Sequence, residues 1–443
     1  MDAATFSPED NRRARRAAFG SFAGAVIDWY DFILYGLVAA LVFNSQFFPG
    51  ISPVAGTLAA FATFGVGFLF RPLGGVVFGH FGDRIGRKQM LVLTMILMGS
   101  ATTLIGLLPT YDSIGWWAPF LLVVLRAVQG FAVGGEWGGA ALMAVENAPP
   151  KRRALYSSGV QVGYSVGLII ATGLILLMRA VTTDEQFLAW GWRVPFVASV
   201  LLVLVGLVVR ARVQDSEEVA ERVEQAERVA GGRRVPLLEA LRSHPGAFGR
   251  IFGLRLVELV SGYIVITFAV SYASDEHGFS KDFMLNVGLL VGALGIVSIP
   301  TFAWLSDRFG RRRIYLTGSV VGVLAAVPFF LAIESGSQIA VALLAVILFN
   351  IAHDMAVSVQ QPLFTEMFGA EFRYSGAGVG YQVASAIAGG FTPFIAAALV
   401  VATGGSWYLV AAYLLLSCLV SAVLAWRIER PAAATTPTAA TVA

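Results

Sequence analysis

Long apolar runs alternate with short polar segments along almost the whole chain. Most are near or above the roughly 20 residues that a helix needs to cross the hydrocarbon core of a bilayer. The runs fall at 17–43, 54–79, 89–108, 117–145, 157–180, 191–210, 247–273, 283–305, 314–333, 337–361, 374–402 and 407–427. This pattern predicts an all-α membrane protein with twelve transmembrane helices.

Composition and charge agree with a multi-pass membrane protein. Of the 443 residues, 57% are hydrophobic and only 13% are charged, which is unlike a soluble domain. Most of the 31 lysines and arginines fall on one side of the membrane if both termini are cytoplasmic, whereas Arg179, Arg193 and Lys281 fall on the other. Because basic residues concentrate in cytoplasmic loops, both termini are predicted to be cytoplasmic. The net charge of +3 therefore reflects topology and does not indicate a nucleic-acid partner.

The apolar runs divide into two groups of six around one long charged segment. The predicted organisation is a cytoplasmic segment 1–16, a six-helix bundle 17–210, a cytoplasmic linker 211–246, a second six-helix bundle 247–428 and a disordered cytoplasmic tail 429–443.

A short motif occurs once in each group of spans. Between spans 2 and 3 the chain reads Gly79-x-x-x-Asp83-Arg84-x-Gly86-Arg87-Lys88, and between spans 8 and 9 it reads Ala303-x-x-x-Asp307-Arg308-x-Gly310-Arg311-Arg312. Two similar six-helix units imply a pseudo-symmetric bundle with a site between them that opens alternately to either side.

Charged residues inside the spans of the first unit are candidates for function. Each costs about 2.5–3.5 kcal/mol on insertion scales, so it is retained where it faces protein or a watery cavity. Asp28 and Asp31 lie three residues apart in span 1, Arg71 lies in span 2, and Arg126 and Glu136 lie in span 4. A structural ion pair is the alternative for Arg126 and Glu136, and snorkelling to the cytoplasmic surface is the alternative for Arg71.

The second unit carries two further charged pairs. Arg255 and Glu258 in span 7 have the spacing of an intrahelical ion pair, which favours a structural role over ligand binding. His353 and Asp354 lie inside span 10, where a histidine that titrates near neutrality suits a proton relay or a hydrogen-bonded packing role.

Neutral polar side chains within the spans suit recognition of a hydroxylated molecule. Any one of them can instead form a helix–helix hydrogen bond. The candidates are Tyr30, Gln129, Gln161, Tyr164, Gln360, Gln361, Tyr381 and Gln382.

Several other classes of protein are disfavoured. The sequence contains no Gly-Lys dipeptide, so it lacks the phosphate-binding loop of an ATP-driven pump. The four histidines are scattered and Cys418 is the single cysteine, so neither a metal cluster nor an intramolecular disulfide is expected. We expect no enzymatic activity and no cofactor beyond a proton gradient. A non-transporting membrane sensor stays open as an alternative, because no residue pattern proves turnover.

The paired loop motifs and Arg126-x-x-Gln129-Gly130-x-x-x-Gly134 in span 4 resemble signatures of the major facilitator superfamily. Three more stretches resemble its metabolite:H⁺ symporter branch, namely Phe70-Arg71-Pro72-Leu73-Gly74-Gly75, Gly135-Glu136-Trp137-Gly138-Gly139 and Trp190-Gly191-Trp192-Arg193-Val194-Pro195. The resemblance implies the major facilitator fold, in which loop motifs latch the cytoplasmic ends of helices. It therefore gives Asp83, Arg84, Arg87, Asp307 and Arg308 a role in gating.

The resemblance also implies that spans 1 and 4 line the transport cavity. Our hypothesis is that Asp31 exchanges the proton while Arg126 tunes its protonation. A permanent salt bridge and proton transfer at Asp28 are the alternatives, and Glu136, His353 and Asp354 are further candidates for proton coupling.

Substrate binding by Arg71 and Arg193 is likewise implied by the family motifs, with Arg126 as a third arginine. Arginine matches a carboxylate through two parallel hydrogen bonds. The resemblance implies proton-coupled uptake of a small hydroxy-carboxylate, with shikimate as the expected substrate and α-ketoglutarate, other carboxylates or betaine-type solutes as alternatives. It further implies a monomer surrounded by lipid in the inner membrane of a bacterium.

Overall fold

Helices form nearly all of the computed structural model, which describes residues 8–75, 77–78, 87–134, 152–212, 245–367 and 380–428. In the first half they are α1 (Pro8–Val38, prolonged through Ala39–Phe43 and Asn44–Phe47), α2 (Pro53–Leu69, in a span that runs to Gly75), α3 (Arg87–Leu107), α4 (Trp117–Gly134), α5 (Arg153–Val181) and α6 (Arg193–Arg212). In the second half they are α7 (Pro245–Tyr263, prolonged through Ile264–Phe268 and Ala269–His277), α8 (Lys281–Phe309), α9 (Arg311–Glu334), α10 (Gln338–Val346, Ile347–His353 and Asp354–Glu366), α11 (Gly390–Ala402, in a span that begins at Gly380) and α12 (Tyr408–Trp426).

These helices account for the predicted membrane spans. Ten of them are long and apolar enough to cross a bilayer within the described residues. A bent pair, Asp184–Gly191 with Arg193–Leu207, forms one more span with an angle of 46° between its parts. The remaining predicted span is the shorter apolar helix Val92–Leu107. The chain is therefore a multi-pass membrane protein, as its apolar runs predict.

The first helix begins earlier than the predicted boundary at residue 17. It starts at Pro8, and proline is favoured at the first helical position. Most of the predicted linker and the tail after residue 428 lie outside the described residues, so the boundaries of the five segments stay predictions.

Polarity is distributed as expected for a protein surrounded by lipid. Large apolar side chains point outward, and Leu324 and Ile339 are 69% and 76% exposed. Charged side chains are buried instead, with Asp31 and Arg126 fully inaccessible and Arg255 at 1% exposure. The buried polar side chains lie within a mostly apolar core and form hydrogen bonds between helices, such as those of Thr102 with Asp31 and Gln129.

The packing of helices repeats between the two halves. In the first half α3 packs on α6 and α2 on α4, and in the second half α9 packs on α12 and α8 on α10. The halves meet mainly where α5 lies along α8 and α2 lies along α11. This is the pseudo-symmetric two-bundle architecture that the repeated motif predicts.

Glycines allow α2 and α4 to approach closely enough to position Arg126. A Cβ atom added at Gly130 would overlap the carbonyl oxygen of Gly67. A Cβ atom at Gly67 would lie 2.6 Å from Nε of Arg126. The absence of both side chains lets the guanidinium group lie directly against the backbone of α2.

Candidate functional site

A small cavity lies between the two halves of the described structure. The first half contributes Trp29, Gln161 and Tyr164 to its wall. The second half contributes Arg255, Glu258, Leu259, Gly262, Tyr263, His353, Val357 and Tyr381.

Irregular helical turns shape the second-half wall of this cavity. A π-helical turn follows Tyr263 in α7, another ends at His353 in α10, and a third occupies Ser385–Gly389 in α11. Such turns insert an extra residue and recur at functional sites. Here each lies next to a residue that lines the cavity or binds one that does.

Arg255 is held in place by several partners. Its Nε donates to Oε1 of Glu258 over 2.6 Å, and its guanidinium carbon lies 3.3 Å from the ring centroid of Tyr381. Its Nη1 also donates to the Tyr381 carbonyl and to the Ser385 hydroxyl. Arg255 is thus neutralised and engaged by protein groups, as its spacing from Glu258 suggests.

His353 and Asp354 form a hydrogen-bonded dyad beside the cavity. Nδ1 of His353 lies 2.8 Å from Oδ1 of Asp354. The other oxygen of Asp354 accepts from Asn350 over 3.0 Å and from the hydroxyl of Ser298. The ring of His353 stacks on Phe349, with 4.4 Å between centroids, and forms part of the cavity wall.

Arg126, in contrast, has few hydrogen-bond partners. Its Nη1 donates to Oε1 of Gln129 over 3.1 Å, while Nε and Nη2 have no hydrogen-bond partner. The guanidinium carbon lies 4.2 Å from the ring centroid of Phe32 and 4.1 Å from that of Tyr35. Cation–π contact offsets part of the desolvation, but the buried donors remain free to bind an anion.

Arg71 lies near Arg126. Its guanidinium carbon lies 3.9 Å from the ring centroid of Phe32, and its buried Nε has no hydrogen-bond partner. Its guanidinium carbon also lies 4.1 Å from the ring centroid of Phe68, and that ring meets the cavity-lining Tyr263 edge-on. Two guanidinium groups therefore share one aromatic ring close to the cavity.

Asp31 is linked to Arg126 by a chain of hydrogen bonds. The hydroxyl of Thr102 donates to Oδ2 of Asp31 over 2.8 Å and accepts from Nε2 of Gln129 over 2.6 Å, and Gln129 in turn accepts from Arg126. No nitrogen of Arg126 lies within 4.0 Å of an Asp31 oxygen, so these two described residues form no direct salt bridge. Asp28, one turn away, is half-buried.

Two other predicted polar residues tie the first half to the second. Gln161 of the first half and Tyr381 of the second half both line the cavity. Tyr164 stacks on Phe349, with 5.9 Å between centroids, and meets Trp29 edge-on. These contacts bring three predicted substrate-binding residues to the wall of one cavity.

Several predicted residues lie away from this cavity wall. Tyr30 donates to the carbonyl of Pro195 over 2.6 Å, and Arg193 donates to the carbonyl of Gly106 over 3.0 Å and to that of Leu108. The buried glutamines of the second half are also outside the wall. They are Gln360, Gln361 and Gln382.

One predicted gating residue joins the two halves. The carboxylate of Asp307, near the end of α8, accepts from the backbone nitrogens of Ala154 and Leu155 at the start of α5, over 3.2 and 3.1 Å. It thereby caps a helix of the opposite half. Arg308 lies over the rings of Trp304 and Phe309. Glu136, Asp83, Arg84 and the side chain of Arg87 lie outside the described residues.

Sequence reasoning missed Thr102 and Tyr263. Tyr263 lines the cavity, lies 5.5 Å from Phe64 and 5.9 Å from Phe68 between ring centroids, and has a buried hydroxyl without a hydrogen-bond partner. Both Thr102 and Tyr263 are polar residues within apolar runs, and this was the sequence feature that could have identified them. In the described part of the chain, no group of three His, Cys, Asp or Glu residues could hold a metal ion.

Comparison with known proteins places the chain among transporters. The family model described as Major Facilitator Superfamily matches residues 21–393 and, in a second match, 262–442. The shikimate transporter of Escherichia coli (strain K12) is 62% identical over 93% of this chain and 94% of that protein. The proline/betaine transporter of the same organism is 33% identical over 88% of this chain and 79% of that protein.

Solved structures show the same fold. A partially occluded, inward-open structure of the xylose transporter XylE from Escherichia coli aligns with a TM-score of 0.72 and 17% identity, covering 94% of this chain and 98% of that one. A crystal structure of a D-xylose-proton symporter aligns with a TM-score of 0.70 and 16% identity, covering 92% of this chain and 96% of that one.

Proposed function

The chain belongs to the major facilitator superfamily and is a multi-pass membrane transporter; from this premise we propose that it takes up shikimate together with protons. The 62% identity to a shikimate transporter supports the substrate. The observation that carries the proposal is the pair of buried arginines with unpaired N–H donors beside a cavity between the halves. The proposed setting is the bacterial inner membrane, with a monomer whose termini are both cytoplasmic.

The arginines supply the proposed site for the substrate carboxylate. A buried cation whose donors lack partners is costly, and a carboxylate relieves that cost by accepting charge-assisted hydrogen bonds. Arg126 and Arg71 carry such donors, whereas Arg255 is already neutralised by Glu258. We therefore assign carboxylate binding to Arg71 and Arg126.

The polar groups around the cavity suit the hydroxyl groups of the same molecule. Gln161, Tyr164, Tyr381 and His353 all reach the cavity wall. Their amide, phenol and imidazole groups both donate and accept hydrogen bonds, as a hydroxyl requires. The neighbouring ring of Trp29 offers an apolar surface for the carbon skeleton.

Repulsion between the substrate carboxylate and Asp31 is the proposed reason that substrate binding is coupled to proton binding. A substrate carboxylate at Arg126 comes close to Asp31, which is joined to Arg126 by two intervening side chains. Two carboxylates near each other repel, so anion binding is favoured once one of them is protonated. Asp31 is the proposed proton carrier, with Asp28 and the His353–Asp354 dyad as the alternatives for mutagenesis.

Uptake of labelled shikimate by purified protein in liposomes tests the function directly. We expect accumulation when the outside is acidic, and loss of accumulation when a protonophore dissipates the gradient. Competition with dehydroshikimate, quinate, α-ketoglutarate and betaine defines the specificity. Accumulation of betaine or α-ketoglutarate in preference to shikimate would reject the substrate assignment, and binding without any uptake would favour the sensor alternative.

A further inference from the structure

Thr102 stands at a branch point of the hydrogen-bond chain between Asp31 and Arg126. Its fully buried hydroxyl oxygen lies 2.8 Å from Oδ2 of Asp31, 2.9 Å from the carbonyl oxygen of Met98 and 2.6 Å from Nε2 of Gln129. Because an arginine can only donate, Oε1 of Gln129 must face Arg126, and Nε2 must therefore face Thr102. The Thr102 hydroxyl thus accepts from Gln129 and has two acceptors competing for its single proton.

The Thr102 hydroxyl can donate to Asp31 in one protonation state of that carboxyl group and to the carbonyl of Met98 in the other. When the carboxylate is ionised, the Thr102 hydroxyl donates to it. When the carboxyl group is protonated, its O–H donates into the second lone pair of Thr102, and the hydroxyl proton turns to the carbonyl of Met98. In both states the bond from Gln129 is kept, so Gln129 can hold Arg126 in one orientation throughout.

We propose that Thr102 is the positioning residue for proton coupling, a hydroxyl that rotates between Asp31 and Met98 as Asp31 gains and loses its proton. The inference rests on the proposed proton symport. The O–H bond of the Asp31 carboxyl group forms on the outside and breaks on the inside, while Thr102 gives up no proton of its own. The rotation keeps the buried carboxyl group hydrogen-bonded in either state, which lets the proton leave as well as bind.

Few other charged groups act on Asp31. In the described part of the chain, the titratable and charged groups that interact with it are Asp28 and Tyr30 on α1 and Arg126 on α4. Arg71 interacts in turn with Asp28 and Arg126. Oδ1 of Asp31 has no hydrogen-bond partner, so the hydroxyl of Thr102 is the donor that stabilises the ionised form.

The experiment measures proton-driven accumulation of shikimate and shikimate exchange in liposomes, for Thr102→Val and for wild type. Valine keeps the shape of threonine and removes the hydroxyl, which destabilises the ionised carboxylate and hinders proton release. A hydrogen bond to a charged group is worth roughly a tenfold or larger change in a proton equilibrium. We expect proton-driven accumulation to fall about tenfold or more. Exchange of labelled for unlabelled shikimate at equal, saturating concentrations, where weaker binding at Arg126 does not limit the rate, should stay within about twofold of wild type.

Two variants serve as controls. Thr102→Ser keeps the hydroxyl and should restore accumulation to within about threefold of wild type. Thr103→Val removes the neighbouring hydroxyl, which donates to the carbonyl of Gly99 over 2.8 Å, and should leave both measurements unchanged. If Thr102→Val does not fold, Thr102→Ala removes the same hydroxyl without adding bulk and carries the same expectation.

Particular results would overturn the proposal. Normal accumulation by the hydroxyl-free variants would show that Thr102 has no part in coupling. Equal loss of accumulation and exchange would assign it a structural role instead. Either result leaves the proposed function intact if wild type accumulates shikimate, whereas failure of wild type in both measurements would reject that function itself.

Discussion

Tyr263 of α7 lies edge-on to Phe64 of α2, with ring centroids 5.5 Å apart, and so joins the two halves of the transporter. The ring of Phe64 is also 5.0 Å from the guanidinium carbon of Arg126. Tyr263 lines the cavity, and its hydroxyl has no hydrogen-bond partner. Tyr263 therefore connects the wall of the cavity to the aromatic ring that contacts Arg126.

Removal of this hydroxyl is expected to weaken substrate binding. A buried hydroxyl without a partner is satisfied by a bound ligand, and a neutral hydrogen bond contributes about 0.5–1.5 kcal/mol. Tyr263→Phe should therefore raise the KM for shikimate about two- to tenfold, with little change in maximal rate. Tyr413→Phe, which removes a hydroxyl 3.0 Å from that of Thr392, serves as the control. An unchanged KM in Tyr263→Phe would remove this hydroxyl from the site.

Arg71 and Arg126 should not tolerate replacement by lysine. Lysine keeps the positive charge but lacks the planar fork that binds a carboxylate through two hydrogen bonds. Each of Arg71→Lys and Arg126→Lys is expected to raise the KM about tenfold or more, measured as initial uptake over a range of shikimate concentrations.

Arg250→Lys is the control for these substitutions. Its side chain is exposed at the start of α7 and does not line the cavity. The control should transport normally. If lysine at positions 71 and 126 behaved like lysine at 250, a carboxylate site between these arginines would be excluded.

The charged pair of α7 is expected to matter for stability more than for recognition. Removing one partner of a buried ion pair typically costs about 3–5 kcal/mol, because the other charge is left uncompensated. Arg255→Gln and Glu258→Gln should each lower the unfolding temperature in detergent strongly. The double variant places two amides together and should regain most of that loss. A double variant as unstable as the sum of the single variants would contradict this view of the pair.

Transport by the same double variant shows whether Arg255 has a structural role or binds the substrate. If Arg255 only orders α7 and Tyr381, the stable double variant should accumulate shikimate at a rate comparable to wild type. A stable but inactive double variant would instead place Arg255 among the ligands of the substrate.

The sequence was most informative where charge and spacing restrict the possible structures. Twelve apolar runs and a repeated loop motif predict two six-helix bundles, and the fold confirms this. The three-residue spacing of Arg255 and Glu258 predicts the ion pair that the structure contains. These features follow from the cost of burying charge in a membrane, which leaves few alternatives.

Neutral residues in the same helices could not be assigned in this way. Thr102 and Tyr263 occur in apolar runs where either helix face can be buried, so their partners depend on how the helices pack. The π-helical turn after Tyr263 adds a residue to one turn and so changes which side chains of the following turns lie on a given face of the helix. Arg193 carried a family motif, yet its side chain bonds to carbonyls at the end of α3, because a long side chain can reach neighbouring backbone from a helix end.

The close contact between α2 and α4 gives a prediction about folding that is independent of the substrate. Gly130→Ala would place a methyl group on the carbonyl oxygen of Gly67, a backbone atom that cannot move away without separating the helices. We expect the yield of folded protein in detergent, measured by size-exclusion chromatography, to fall severalfold, since overpacking costs about 1–3 kcal/mol or more. Gly173→Ala is the control, because a Cβ atom at that helical position meets nothing within 4 Å and alanine favours a helix. Normal yield and normal uptake in Gly130→Ala would mean that the two helices do not need this contact to hold Arg126 in place.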